Sequence, residues 1–281
     1  MDERWRDLRH ALAENPLTIL ALALLAGLLG VAVFGPWLAP YDPLATDTAM
    51  ALRPPSAAHP FGTDQLGRDI LSRVIVATRL DLAIAGGAVA LSLVLGAVIG
   101  AACGYFGGAL DRAVGRVVDV LMAFPLFALA MGVVAALGNS VSSVVYATAV
   151  INLPFYIRLA RAETGVRREL GYVEAARIGG SSHARVLRVV LLPNIAAPLA
   201  VQASVNLGWA VLNAAGLSFI GLGVRAPTPE WGIMVAEGAG FIVSGQWWLV
   251  AFPGAALMLA VFAFNLAGDG LRDLLDPRSR T

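Results

Sequence analysis

Side chains able to do covalent or metal chemistry are scarce in this sequence, and they are scattered. The three histidines, His10, His59 and His183, stand far apart, and the single cysteine, Cys103, sits inside an apolar run. No GxSxG elbow, HExxH or CxxC pattern occurs, so neither a nucleophilic triad nor a metal site is expected from this chain alone. The 20 basic residues are all arginine. Without lysine there is no GxxxxGK[ST] phosphate loop and no Schiff base. Any nucleotide that drives this protein must therefore be bound by another chain. What remains is recognition: charges and small residues that dock, and amides that glue helices or line a path.

The densest docking set lies between Glu169 and Pro193, ELGYVEAARIGGSSHARVLRVVLLP, a polar interval flanked by two apolar segments. It carries Glu174, Ala175, Ala176, Arg177, Gly180, His183, Arg185 and Arg188. The pattern predicts a short helix over Tyr172–Ile178. Gly179 and Gly180 then permit a turn with positive φ, and Ser181 or Ser182 suits the N-cap of a second helix. Pro193 fits the first turn of the next membrane helix, where its missing N–H costs nothing. A helix–turn–helix with small residues at its bend is shaped to dock into a partner; an ordinary basic loop is the plain alternative.

The second set is Gln202, Asn206, Trp209 and Asn213, spaced +4, +3 and +4 in a segment otherwise of Ala, Val, Leu and Gly. At about 100° per residue these four fall on one stripe of a helix. Amides in hydrocarbon either bond across a helix interface or face water. The stripe therefore reads either as interhelical glue or as the lining of a path, with Trp209 stacking on or gating what passes.

The elements that must position these sets belong to a membrane. The 281 residues are 58% hydrophobic and 14% charged, against about 25% charged in soluble domains. A net charge of +1 gives nucleic acid no purchase. Leu17–Ala39 is apolar, and further apolar segments cover about 80–105, 117–137, 140–160, 193–220 and 247–268. Each meets the roughly 20 residues that span hydrocarbon. The expected fold is an all-α membrane protein of six transmembrane helices. With the N-terminus inside, fifteen arginines fall on the cytoplasmic side and five outside, so arginine bias places both termini and the Glu169–Pro193 interval in the cytoplasm. Residues 1–15 place Trp5, Leu8 and Leu12 on one face, an amphipathic interfacial helix. A cleaved signal peptide would have an apolar core of about 7–15 residues; the longer run here is read as a retained first membrane helix.

The outer segment from Pro40 to Thr78 starts rich in proline and small residues, hence extended. It continues as GTDQLGRDILSRVIVATR, which reads as helical and carries three arginines for which Asp64 and Asp69 are the available partners. Asp119 falls well inside the third span, with Arg116 at i−3 as its expected partner and no second buried acid beside it. Pro125 and Pro154 are expected to kink the third and fourth helices. Phe219–Gly245, polar and glycine-rich but dotted with Trp231, Ile233, Met234, Phe241 and Ile242, reads as an outer re-entrant or interfacial element.

Glu174-Ala175-Ala176, three residues, Gly180, nine residues, then Val190, Leu191 and Leu192-Pro193 resembles the EAA loop of ABC-importer permeases, Val190 standing where that pattern has Ile. GTDQLGRDILSR after the first membrane helix, GLSFIGLGVRAPTPEWG and FNLAGDGLRDLLDP resemble the C-type permeases of the dipeptide, oligopeptide and nickel group. The separate blocks run from about residue 17 to 277.

The resemblance implies a MetI-like permease fold, and a coupling helix in which Glu174, Ala175, Ala176, Arg177, Gly180, His183 and Arg185 meet an ATPase subunit. It also implies a heterodimer with a B-type permease, two ATPase subunits and an extracytoplasmic substrate-binding protein, in the bacterial cytoplasmic membrane. ATP and magnesium would be held by the partner subunits, with no cofactor in this chain, and the chain itself would not be an enzyme. It tilts the Gln202–Asn213 stripe toward the translocation path. The expected division is residues 1–15, 16–79 (first transmembrane helix plus outer extension), 80–277 (five-helix core with the coupling loop at 165–193) and a cytoplasmic tail at 278–281. Peptide import is the leading reading, nickel or metal-chelate import its competitor, and an ATP-independent transporter or channel the remote alternative.

Overall fold

The computed structural model describes residues 16–275, with side chains to residue 273; the expected helix over 1–15 and the tail at 278–281 lie outside the described residues. Among the described residues the elements are helical, and only an isolated bridge between Thr63 and Asp69 has β geometry. Helix α1 spans Pro16–Leu38 and buries a thin stripe of Thr18, Ala21, Leu28, Ala32 and Gly35. Leu24 and Leu25 pack half-buried against the core, while Leu17, Leu20, Leu22, Leu29 and Leu38 face outward, as suits a helix in lipid rather than water. The chain then runs extended through the prolines to a short 3₁₀ turn at Thr48–Met50, capped by the Asp47 side chain.

Helix α2, Ile70–Phe106, is a single rod of 37 residues, about 55 Å at 1.5 Å per residue. Asp69 starts it, its Oδ2 accepting from the Ser72 N–H at 2.8 Å and from the Ser72 hydroxyl at 2.7 Å. The helix expected over Gly62–Arg79 thus forms only from Ile70; Gly62–Asp69 is a turn-rich loop. Two positive-φ glycines, Gly62 and Gly67, explain this. A Cβ at Gly67 would sit 1.8 Å from the Asp47 carbonyl oxygen, so the loop closes there only on glycine. The expected boundary at 79/80 falls inside α2.

Helices α3 (Gly108–Ala123) and α4 (Leu126–Leu137) meet at a 97° bend. One span was expected over 117–137; the break has a local cause. Phe124 precedes Pro125 and sits at φ −81°, ψ 144°, the extended region to which a following proline ring drives it. Asp119 on α3 bonds Arg158 at 2.7 Å, not the expected Arg116, and Asp111 pairs with Arg161 at 2.5 Å.

Helix α5 (Val141–Arg167) starts on a Ser140 cap and contains Pro154. It packs along α2 through a glycine ladder. Gly96, Gly100 and Gly104 recur every fourth residue, and a Cβ on each would come within 2.4 Å of Tyr156 Cβ, the Ile157 carbonyl oxygen and the Arg161 carbonyl oxygen, respectively. Small residues at this spacing let two backbones touch, the usual way membrane helices gain packing without a hydrophobic drive. Cys103 is buried within the same part of α2.

After α5 come α6 (Gly171–Ile178), a second arm over His183–Asn194, then α7 (Ala196–Phe219), α8 (Trp231–Ala239) and α9 (Trp248–Leu275). Among the described residues four helices are long and apolar enough to cross a membrane, and up to six spans result if each bent pair counts as one. α6 and the second arm lie at one end of the bundle, hereafter the loop end. The 39–69 loop and α8 lie at the opposite end.

Candidate functional site

Between α6 and the second arm the backbone turns in a Schellman motif. Gly180, at φ +79°, stands at C′; its N–H donates to Arg177 O at 3.0 Å, and the Ser181 N–H reaches back to Ala176 O at 3.0 Å. Ser182 then caps the second arm, its hydroxyl accepting from the Arg185 N–H at 3.3 Å. The arm continues as a π-wound stretch, Val186–Leu191, and bends by 60° into α7. Val173, Val186 and Leu191 are buried with Tyr105 in a small core of their own, which seats the loop against the end of α2. Glu174, Ala175, Arg177, Gly180, His183 and Arg185 remain exposed, while Ala176 is half-buried.

Sequence reasoning missed the residue that holds this loop in place. Tyr105, buried at the end of α2, bonds His183 Nδ1 through its hydroxyl at 2.8 Å and accepts from Arg177 Nε at 3.1 Å. The Arg177 guanidinium also lies 4.9 Å from the centre of the Tyr105 ring, within cation–π range. One phenol therefore ties both arms of the bend. Arg168 completes the grip, its Nη1 donating to Gly104 O at 3.1 Å and Tyr105 O at 3.5 Å at the C-terminal end of α2. The signal was available: Tyr105 is the polar aromatic at the foot of an apolar helix, just before Gly107-Gly108.

The stripe on α7 divides. Gln202 Nε2 donates to Asn206 Oδ1 at 2.9 Å, and Asn206 is buried. Its Nδ2 and the hydroxyl of Tyr156 on α5 are both buried without a hydrogen-bond partner. Trp209 is 58% exposed, and Asn213 bonds only back to the Trp209 carbonyl at 2.9 Å. The structure thus brings Gln202 and Asn206 together and leaves Trp209 on a surface that the described residues do not cover.

Residues 92–281 match the family described as binding-protein-dependent transport system inner membrane component, and residues 3–55 match the N-terminal TM domain of oligopeptide transport permease C. The chain belongs to this family of inner membrane transport components. It is 43% identical over 268 residues to the probable D,D-dipeptide transport system permease protein DdpC of Escherichia coli (strain K12), covering 95% of this chain and 90% of the relative. It is 40% identical to the dipeptide transport system permease protein DppC of Alkalihalophilus pseudofirmus, covering 99% and 91%. It is 37% identical to the glutathione transport system permease protein GsiD of Pectobacterium atrosepticum, covering 99% and 92%.

At the opposite end of this transport component two of the three arginines left open by the sequence, Arg68 and Arg73, find their partners. Asp64 accepts from Arg68 Nε at 2.5 Å and lies 3.7 Å from Arg73 Nε. Glu237 on α8 meets Arg68 Nη2 at 3.1 Å and Arg73 Nη2 at 3.5 Å. Both arginine side chains are at most 2% exposed. Arg73 also donates to the carbonyls of Pro43 and Pro227 at 3.3 and 3.5 Å. Asp69 takes no arginine but bonds His59 Nδ1 at 2.8 Å. The network joins the proline-rich loop, α2 and α8 into one cap.

Proposed function

We propose that this chain is one transmembrane half of an ATP-binding-cassette importer that carries dipeptides or short oligopeptides inward. The loop end faces the cytoplasm, and Glu174, Ala175, Ala176, Arg177, Gly180, His183 and Arg185 seat in one of two ATPase subunits. Those subunits bind ATP and magnesium, a B-type permease supplies the other half of the path, and an extracytoplasmic binding protein delivers substrate to the opposite end. The single observation that carries the reading is the loop itself: a bend exposed toward solvent, yet anchored through Tyr105 to the 37-residue rod of α2. A push on the loop is thereby a push on a helix that runs the length of the bundle, as rigid-body alternating access requires. Family membership, and relatives named for dipeptide and D,D-dipeptide transport, support the substrate class.

Gly180→Leu tests it. A left-handed residue costs about 1–2 kcal/mol once it carries a Cβ, and a Cβ added at Gly180 meets nothing within 4 Å among the described residues. The added bulk therefore meets only what docks there. Uptake of a labelled dipeptide by cells should be abolished, with the subunit still inserted in the membrane at normal abundance. Normal uptake would end the docking assignment. Tyr105→Phe keeps the ring and removes the shared hydroxyl, a loss of about 1.5–3 kcal/mol where a charged partner is involved. Substrate-stimulated ATP hydrolysis by the assembled importer should fall, with basal hydrolysis retained.

A further inference from the structure

Two acids that the arginine network does not reach meet at the start of α8. Asp81 interrupts the apolar face of α2, and Glu230 is the N-cap of α8. Glu230 Oε2 accepts from the Ile233 N–H at 2.7 Å, and Asp81 Oδ2 accepts from the Trp231 N–H at 3.2 Å. Both carboxyls are thus drawn to one helix N-terminus, 1% and 0% exposed, and they lie within hydrogen-bonding reach of each other. Each has one further oxygen, Asp81 Oδ1 and Glu230 Oε1, that is buried and receives no donor. The surroundings are closed: Trp231 Nε1 bonds the Val74 carbonyl at 3.1 Å, and Gly232 abuts the Ala215 backbone so closely that a Cβ would clash.

Two carboxylates cannot share such a site. A helix N-terminus favours one negative charge by about 2 kcal/mol at best, and like charges in contact drive one group to its neutral form. Among the described residues, Glu230 is the ionisable group that acts on Asp81. Glu230 itself is faced by Asp81, the Ser218 hydroxyl and the N–H groups of Gly232 and Ile233, and no arginine acts on either acid.

We propose that Asp81 and Glu230 hold a single proton between them, so that the start of α8 is a buried proton-binding site fastening α8 to α2. A proton supplies the donor that the two orphaned oxygens lack and reduces two buried charges to one. Burial pushes the Glu230 carboxyl above the usual carboxylate range. A group whose folded value is raised contributes stability that is complete below its unfolded value and lost as pH climbs through the folded one. The fastening therefore weakens toward alkaline pH. None of this depends on the transport reading.

The test is infrared spectroscopy of the full chain purified with its partner subunits. At neutral pH wild type should show a protonated-carboxyl C=O band that is lost in both Asp81→Asn and Glu230→Gln, and that bleaches in wild type as pH is raised. The same amides should flatten the fall of the thermal midpoint with rising pH. A band untouched by either substitution, or absent from wild type, overturns the proposal. Should a variant fail to assemble, the wild-type titration alone decides: no bleaching on alkalinisation refutes it.

Discussion

Asp64→Ala should destabilise the folded subunit by about 3–5 kcal/mol, the usual loss when one member of a buried ion network is removed. The carboxylate has several simultaneous partners. Its Oδ1 accepts the N–H groups of Leu66 and Arg68 at 2.9 and 3.0 Å, while Oδ2 faces both buried guanidiniums. Alanine leaves Glu237 as the one carboxylate that Arg68 and Arg73 share among the described residues, and two like charges then compete for it in a site where neither reaches water. Glu237→Gln should be milder, because that carboxylate is 22% exposed and water can replace part of it. The check is the thermal midpoint of the purified complex, with the amount of subunit in the membrane as a second reading. Equal effects from the two substitutions would mean that Asp64 is not the centre of the network.

Gly100→Ile is the second large effect. The new Cβ would lie 2.4 Å from the Ile157 carbonyl oxygen and 2.8 Å from Ala160 Cβ. Neither is the loose end of a side chain, so α2 and α5 must separate along their whole contact. Overpacking of well-fitted cores typically costs about 1–3 kcal/mol, and a clash against backbone belongs at or beyond the top of that range. Gly86→Ala on the same helix is the control, since nothing lies within 4 Å there. It should be neutral or slightly stabilising, alanine being the better helix former by about 1 kcal/mol. The two variants are compared by yield of folded complex and by thermal midpoint; parity between them would remove the glycine ladder as a determinant of the fold.

What could be read in advance followed from short-range rules. Gly180 in the left-handed region and Ser182 as a cap are local consequences of residue type, whereas Pro193, expected in the first turn of the next membrane helix, ends up in the second arm ahead of the 60° bend into α7. The apolar runs gave the helices because length and hydropathy suffice in hydrocarbon. The failures share a cause, which is that the deciding partner lies far along the chain. Asp119 was matched to the nearest arginine, Arg116, whereas Arg158 is 39 residues away. Asp81 is not legible as one of a pair, because Glu230 lies 149 positions later and no local pattern joins the two. Gly96, Gly100 and Gly104 form a repeat of four in the sequence, but a glycine carries no side chain whose chemistry marks it as a contact. The break at Phe124–Pro125 was underestimated as a kink: the rule about the residue before proline acts on φ and ψ, but how far the helices swing depends on what packs around them.

Cys103, locked behind the α2–α5 contact at 1% exposure, has a practical sequel. The one native thiol is out of reach, so the subunit offers thiol-directed reagents no accessible target without any native residue being replaced. A spectroscopic reporter on a cysteine substituted for Ile178 at the loop end, and another for Val243 at the opposite end, 81% and 98% exposed, would be read against a blank background. The distance between them could then be followed while the machine turns over.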